Sequence, residues 1–391
     1  MMEYGATFSI FIPDTTFGIG AIDNLGALAK SLGSRKPLVI TDKGIISAGL
    51  LDKAKASLEK TGIPFALFDG CLPDAPLSVI QKCSRVARDG NHDLLIALGG
   101  GSVMDTVKVA GVFATADKEL RYYVGMHKVE RPGLPTLLIP TTAGTSAEWT
   151  WVAVVTDDLD PGRVAKKSMY STFLRPRAVI VDPLMTLNLS PRATAETGID
   201  TLSHAIEAHT TWKANLVSDM FTEKVISLVA QNLRSAYGKG SKNMEARCNM
   251  AIGASLGFAY MVSGAGIIHG MGYPLQMKTH ISHGESMAIL MPPVMEFNLV
   301  AHVPRFARIA ELMGETVPEL SLRAKAQRSV EAVRQLIQDV RMPLRMRDVG
   351  VQKEDIPGFV EAVFTNSPHL IDGNCRHVTR EEMAEIYEAA W

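Results

Sequence analysis

Short β-branched runs alternate with amphipathic stretches through the first half of the chain, the runs falling at 38–42, 66–69, 93–98, 136–140 and 178–181. That rhythm predicts strand, helix, strand units and hence a parallel, doubly wound sheet. Between the runs, segments such as 49–61 carry apolar residues at helical spacing and stop at Gly62 and Pro64. After Asp182-Pro183 the strand-like runs cease, and segments of high helix propensity follow at 191–210, 219–235 and 321–340. The pattern predicts an α/β domain over residues 1–185 and a helical domain over 186–391, divided at the Pro183 and Pro191 punctuation. A chain of 391 residues exceeds what one hydrophobic core usually supports.

Composition changes this picture mainly by exclusion. A formal net charge of -1 gives no electrostatic reason to expect nucleic acid or an anionic membrane as partner. Cys71, Cys83, Cys248 and Cys375 are scattered without a CxxC pair, so neither a disulfide framework nor a thiolate zinc site is expected. Met1-Met2-Glu3-Tyr4 carries an acid where a secretory signal places bases, and no apolar run reaches the roughly 18 residues of a membrane span. The expectation is a cytoplasmic protein with a small-molecule partner.

Candidate chemistry begins where the 93–98 run enters Gly99-Gly100-Gly101-Ser102 and a helical pattern follows from Val103. Glycines there let backbone amides and the helix N-terminus approach a phosphate, as a dinucleotide requires. The common GxGxxG fingerprint is incomplete, because Met104 takes its third glycine position. Close strand–helix packing produces such turns as well. Thr141-Thr142-Ala143-Gly144-Thr145, after the next strand, offers hydroxyls to phosphate or ribose, or else Thr145 and Glu148 form a capping box. Asp42 ends the first run, where an acid accepts from ribose hydroxyls and repels a 2′-phosphate, favouring NAD over NADP; a solvated turn aspartate before Gly44 is the other reading.

A second constellation lies in the helical half. Asp200 and His204 are four apart and share a helix face, while Gly266 to Pro274 supplies His269 and Ser282-His283-Gly284 supplies another imidazole. One carboxylate and three neutral imidazoles suit Fe2+ or Zn2+, and leave a position open for a substrate oxygen. Individually these residues are ordinary, since Asp-x3-His pairs commonly form surface ion pairs. His209 lies off the His204 face and is the poorer ligand, whereas His280, three before His283, is a candidate for proton handling.

With Gly99–Ser102 joined by Asp105 and Lys108, then Thr141–Thr145, Gly198–Glu207 and His269 through His283-Gly284, the sequence resembles the iron-containing (group III) alcohol dehydrogenase family over essentially its whole length. The resemblance implies a Rossmann-like NAD(P)-binding α/β domain followed by an all-α C-terminal domain, the dehydroquinate synthase-like fold, with catalysis where cofactor and metal meet. It implies Asp200, His204, His269 and His283 as metal ligands, and Gly99, Gly100, Gly101, Ser102, Asp105, Thr141, Thr142, Thr145 and Lys166 at the cofactor, with Asp42 where NAD-preferring members carry an acid. It also implies a homodimer or larger homo-oligomer.

One position departs. Tyr273 stands where many members carry a proton-relay histidine, and a phenol with a reference pKa near 10 is a poor general base. His-Gly-Met-x-Tyr-Pro also resembles the branch of hydroxyacid-oxoacid transhydrogenases, whose anionic substrates need a cation such as Lys278 or Arg376. The expected activity is oxidoreduction of a small alcohol and its aldehyde or ketone. A hydroxyacid transhydrogenase or dehydrogenase is the alternative; a dehydroquinate-synthase-like lyase and a non-enzymatic homologue fit the ligand set less well.

Overall fold

The computed structural model describes residues 9–160, 162, 164–315 and 318–391. Its chain forms two compact units, Phe11–Thr142 with Ser146–Asn188, and Leu189–Trp391 joined by Ala143–Thr145.

Among the described residues the first unit contains nine strands, numbered in chain order: β1 (Asp14–Phe17), β2 (Pro37–Ile40), β3 (Ala66–Phe68), β4 (Leu94–Gly99), β5 (Gly125–Met126), β6 (Thr136–Pro140), β7 (Val152–Asp157), β8 (Ala165–Tyr170) and β9 (Ala178–Val181). Six of them form a parallel sheet in the order β1-β9-β6-β4-β2-β3. β2, β4, β6 and β9 are buried throughout, as strands covered by helices on both faces must be. From β2 the chain runs outward to β3, then returns to β4 on the other flank of β2. The carboxyl ends of β2 and β4 therefore border a topological switch point, where open α/β sheets bind ligands. Asp42 follows one of these strands and Gly99–Ser102 the other.

The second sheet, β5-β8-β7, is not among the expected runs. β8 carries Lys166, Lys167 and Ser168 and is only partly buried, so its sequence lacks a core strand's apolar signature. β7 is held to the helix Gly101–Ala114 by a buried pair: Asp105 accepts from Val154 N at 2.9 Å, and the Lys108 ammonium donates to Val152 O at 2.8 Å and Thr150 Oγ1 at 3.1 Å. Burial lowers the Lys108 pKa and raises that of Asp105, each opposing the other's shift across 3.5 Å.

The second unit is helical; among the described residues no strand follows β9. Helix Pro191–Thr210 begins with Ser190 accepting from Ala193 N and with proline at its first position. Leu216–Lys239 and Leu322–Asp339 occupy the other predicted stretches, each extended or trimmed by a few residues at its cap. Their apolar faces meet around Ile199, Leu202, Val229, Leu290 and Leu336 in one continuous core. No single helix among the described residues is long and apolar enough to cross a membrane.

Candidate active site

In the α/β unit, the helix after β4 starts at Gly101 with Gly100 as its N-cap, and no side chain caps it, which leaves its first amides open. Packing accounts for Gly99, where a Cβ would stand 2.5 Å from Val103, and crowds Gly100, where one would stand 3.1 Å from the Thr142 side chain. Thr141 is buried, its amide bonded to Gly99 O and its hydroxyl without a partner. Ser102 Oγ accepts from Asp74 N at 3.0 Å, and Lys166 pairs with the Asp74 carboxylate at 2.8 Å. Ser102 and Lys166, 64 positions apart by number, thus meet at one loop. Asp42 Oδ1 accepts from Ile45 N at 2.9 Å, capping the helix Lys43–Ser47, while Thr41 is tied to Leu98 O beside the glycine turn. Asp42 is therefore a helix cap as well as the acid at the switch point.

Asp105, the fifth residue of the helix Gly101–Ala114, is buried and bonded to β7 through Val154 N. The proposed Thr145–Glu148 capping box does not start a helix: a short 3-10 turn covers Ala147–Trp149, with Ser146 at φ 54° as its N-cap. Ala143–Thr145 instead joins the helical unit, where Thr201 Oγ1 donates to Ala143 O at 3.1 Å and Gly144 packs on Thr197.

In the helical unit, three elements converge. Helix Pro191–Thr210 carries Asp200 and His204 one turn apart; helix Ile267–Thr279 carries His269; helix His283–Leu299 begins with His283. The start of this last helix is fixed by a capping box between Ser282 and Glu285, and Arg192 bridges Glu196 and Glu285 between two of the helices. Gly284 is required by their approach, because a Cβ there would lie 2.1 Å from the Glu196 carbonyl oxygen.

Around Asp200 Oδ1 stand His283 Nε2 at 3.3 Å, His204 Nδ1 at 3.7 Å and His269 Nε2 at 3.8 Å. Donors on a tetrahedral ion with bonds of about 2.1 Å are separated by roughly 3.4 Å, close to each of these spacings from Asp200. Asp200 Oδ1, His204 Nδ1 and His269 Nε2 are buried without hydrogen-bond partners, a costly condition that a shared ion removes. Asp200, His269 and His283 have donor atoms all within 4.8 Å of one another. His204 stands beside this trio, stacked on His269 at 4.4 Å and on Tyr260 at 4.6 Å. Burial pushes the His204 imidazole down to about 3, into its neutral form, the one able to bind a metal ion. Burial also opposes ionisation of Asp200, but the imidazoles of His204, His283 and His269 outweigh it and hold the carboxyl well below its usual range.

Two supporting residues carried no expected role. Glu207 Oε2 bonds His269 Nδ1, and its Oε1 accepts from Ile268 N at 2.6 Å. With burial pulling the other way, Glu207 and Asp200 raise the His269 pKa to about 9. Gln276 lies 2.9 Å from His283 Nδ1 and 2.7 Å from Ser286 Oγ. Spacing is the signal that could have found them, since Glu207 is i+3 from His204 and Gln276 is i+7 from His269 on their helices. Tyr273 stacks on His283, with centroids 6.3 Å apart. His280 is exposed at the C-cap of its helix with φ 58°, and His209 is bonded to Thr222.

Residues 13–183 match the family model for iron-containing alcohol dehydrogenase, and residues 194–391 match the C-terminal model of the same family. The chain belongs to the iron-containing alcohol dehydrogenase family. It is 34% identical to the lactaldehyde reductase of Escherichia coli K12 over 96% of this chain and 97% of that one. The crystal structure of a 1,3-propanediol oxidoreductase superposes with a TM-score of 0.94 at 34% identity, covering 99% of this chain and 100% of the other. Sulfoacetaldehyde reductase from Bifidobacterium kashiwanohense, solved in complex with NAD+, gives 0.88 at 25% identity, with 99% of each chain covered. The protein is an alcohol dehydrogenase-type oxidoreductase with the two-part fold of that family.

Proposed function

We propose that the chain interconverts a small, uncharged alcohol and its aldehyde or ketone using NAD, with Fe2+, or alternatively Zn2+, held by Asp200, His204, His269 and His283. The observation that carries this reading is the gathering of imidazole nitrogens from three helices around Asp200 Oδ1, with Asp200 Oδ1, His204 Nδ1 and His269 Nε2 buried and lacking hydrogen-bond partners among the described residues. The bound metal supplies Lewis acidity toward the substrate oxygen. Asp200 contributes the carboxylate of the ligand set, and Glu207 and Gln276 hold the His269 and His283 rings in place. His283 is the most open of the four, with 30% of its side chain exposed, which leaves access on its side. Tyr273 beside it offers a hydroxyl as a hydrogen-bond donor, and the exposed His280 is available to pass the proton to water.

The cofactor reading rests on the open amides from Gly100 to Ser102, the hydroxyls of Thr141, Thr142 and Thr145, Lys166 at the Asp74 loop, and Asp42 at the switch point. Asp42→Asn retains a capping side chain but loses the charge. Its kcat/KM ratio for NADPH over NADH should rise at least about tenfold, corresponding to ~1.4 kcal/mol, with little change in melting temperature. An unchanged ratio would remove Asp42 from cofactor selection.

An uncharged substrate is favoured because both candidate cations for an anionic one are engaged: Lys278 pairs with Asp355, and Arg376 pairs with Glu382 and Phe297 O. A homo-oligomer is supported by the apolar edge around β1, where Phe17 and Ile19 are exposed. The deciding experiment is a spectrophotometric screen of small aldehydes, diols and hydroxyacids with NADH and NADPH, on metal-free protein reconstituted with Fe2+ or Zn2+. Aldehyde reduction that requires the metal and prefers NADH is expected. Hydroxyacid-to-oxoacid exchange without free NAD would establish the transhydrogenase reaction instead.

A further inference from the structure

Glu207 is a buried carboxylate with no lysine or arginine paired to it among the described residues; the ionisable group it bonds is His269. The His269 ring therefore lies between two carboxylates, with Nδ1 on Glu207 and Nε2 facing Asp200 at 3.8 Å. Two buried negative charges on one ring need more positive charge than a neutral imidazole supplies. We propose that Glu207 is a positioning residue for the metal: it fixes His269 in the Nδ1–H tautomer, aims Nε2 at the ion, and adds a second, non-ligating negative charge that strengthens cation binding. This rests on the ligand reading above.

The hydrogen-bond pattern makes the role specific. Glu207 accepts on both oxygens, one from Ile268 N and one from His269 Nδ1. A glutamine in its place satisfies both partners when no metal is bound, because its Oε1 accepts from Ile268 N while its Nε2 donates to a bare Nδ1. With metal on Nε2, Nδ1 must carry the proton. Glutamine then faces a donor with a donor, and turning the amide only moves the conflict to the fixed Ile268 N–H. Gln276 avoids this beside His283, since its other partner, the Ser286 hydroxyl, both donates and accepts.

The test uses the full chain, metal-free and loaded with Zn2+ or Co2+, and measures affinity by chelator competition, the Co2+ absorption spectrum and the melting temperature of both forms. Glu207→Gln should bind about 10–100-fold more weakly. Its melting temperature should fall less in the metal-free form than in the loaded form, so that its metal-induced increment shrinks. Equal affinity, or a melting temperature lowered as much without metal as with it, overturns the proposal by assigning Glu207 to the scaffold. Should Glu207→Gln not fold, Glu207→Asp takes its place under the same comparison: a deficit confined to the loaded form supports the proposal, and an equal deficit in both overturns it. Failure of the parent chain itself to bind either ion would instead sink the ligand reading.

Discussion

Asp200→Asn should lower kcat/KM by at least about a thousandfold while leaving the fold intact. Asn reproduces the shape of Asp, so the substitution isolates charge. Three imidazole nitrogens stand within 3.8 Å of Asp200 Oδ1, and the side chain is only 4% exposed. Removing one partner from such a dry charge cluster typically costs ~3–5 kcal/mol, and ~4 kcal/mol corresponds to a thousandfold in rate. Metal content after dialysis should fall with activity, whereas circular dichroism should be unchanged. A variant that keeps stoichiometric metal and normal turnover would exclude Asp200 from the ligand set. His209→Ala is the contrast: it shares the helix, but its ring faces Thr222, so metal content should not change.

The clustering of the candidate ligands was legible because helical spacing alone puts Asp200 and His204 on one face, and because His269 and His283 sit in glycine-punctuated segments. The parallel strands were legible for a similar reason, each being a compact apolar run bounded by turn residues. What escaped depended on partners distant in sequence. Glu207 reads as a helix-surface carboxylate until the fold brings it to His269, 62 residues on. The small sheet escaped because β8 earns its place by pairing with β7 rather than by burying an apolar face. The glycine turn departs from the usual fingerprint at Met104, and the order of its parts departs as well. Here the acid follows β2 and the glycines follow β4, whereas the common arrangement puts the glycines after the first strand and the acid after the second.

Gly284→Ala is expected to cripple metal binding through a single methyl group that touches no ligand. In its helix Gly284 has no need of unusual backbone angles; its requirement is space, since a Cβ would sit 2.1 Å from Glu196 O and 2.5 Å from Glu196 C, both backbone atoms. Backbone cannot swing aside as a side-chain end does, so the helices Pro191–Thr210 and His283–Leu299 must separate by about 1 Å to restore van der Waals contact. His283 precedes Gly284 and moves with it, away from Asp200 on the opposing helix. Ligand distances tolerate about ±0.2 Å, so such a shift should weaken metal affinity at least about a hundredfold, against an overpacking cost of only ~1–3 kcal/mol in stability. Gly270→Ala supplies the control beside His269, where a new Cβ would meet Leu370 and Val363 at an ordinary 3.5 Å. Chelator competition on both variants separates the cases: Gly270→Ala should bind within about threefold of the parent. Parent-like affinity in Gly284→Ala would mean that His283 is not held to the ion by the approach of these two helices.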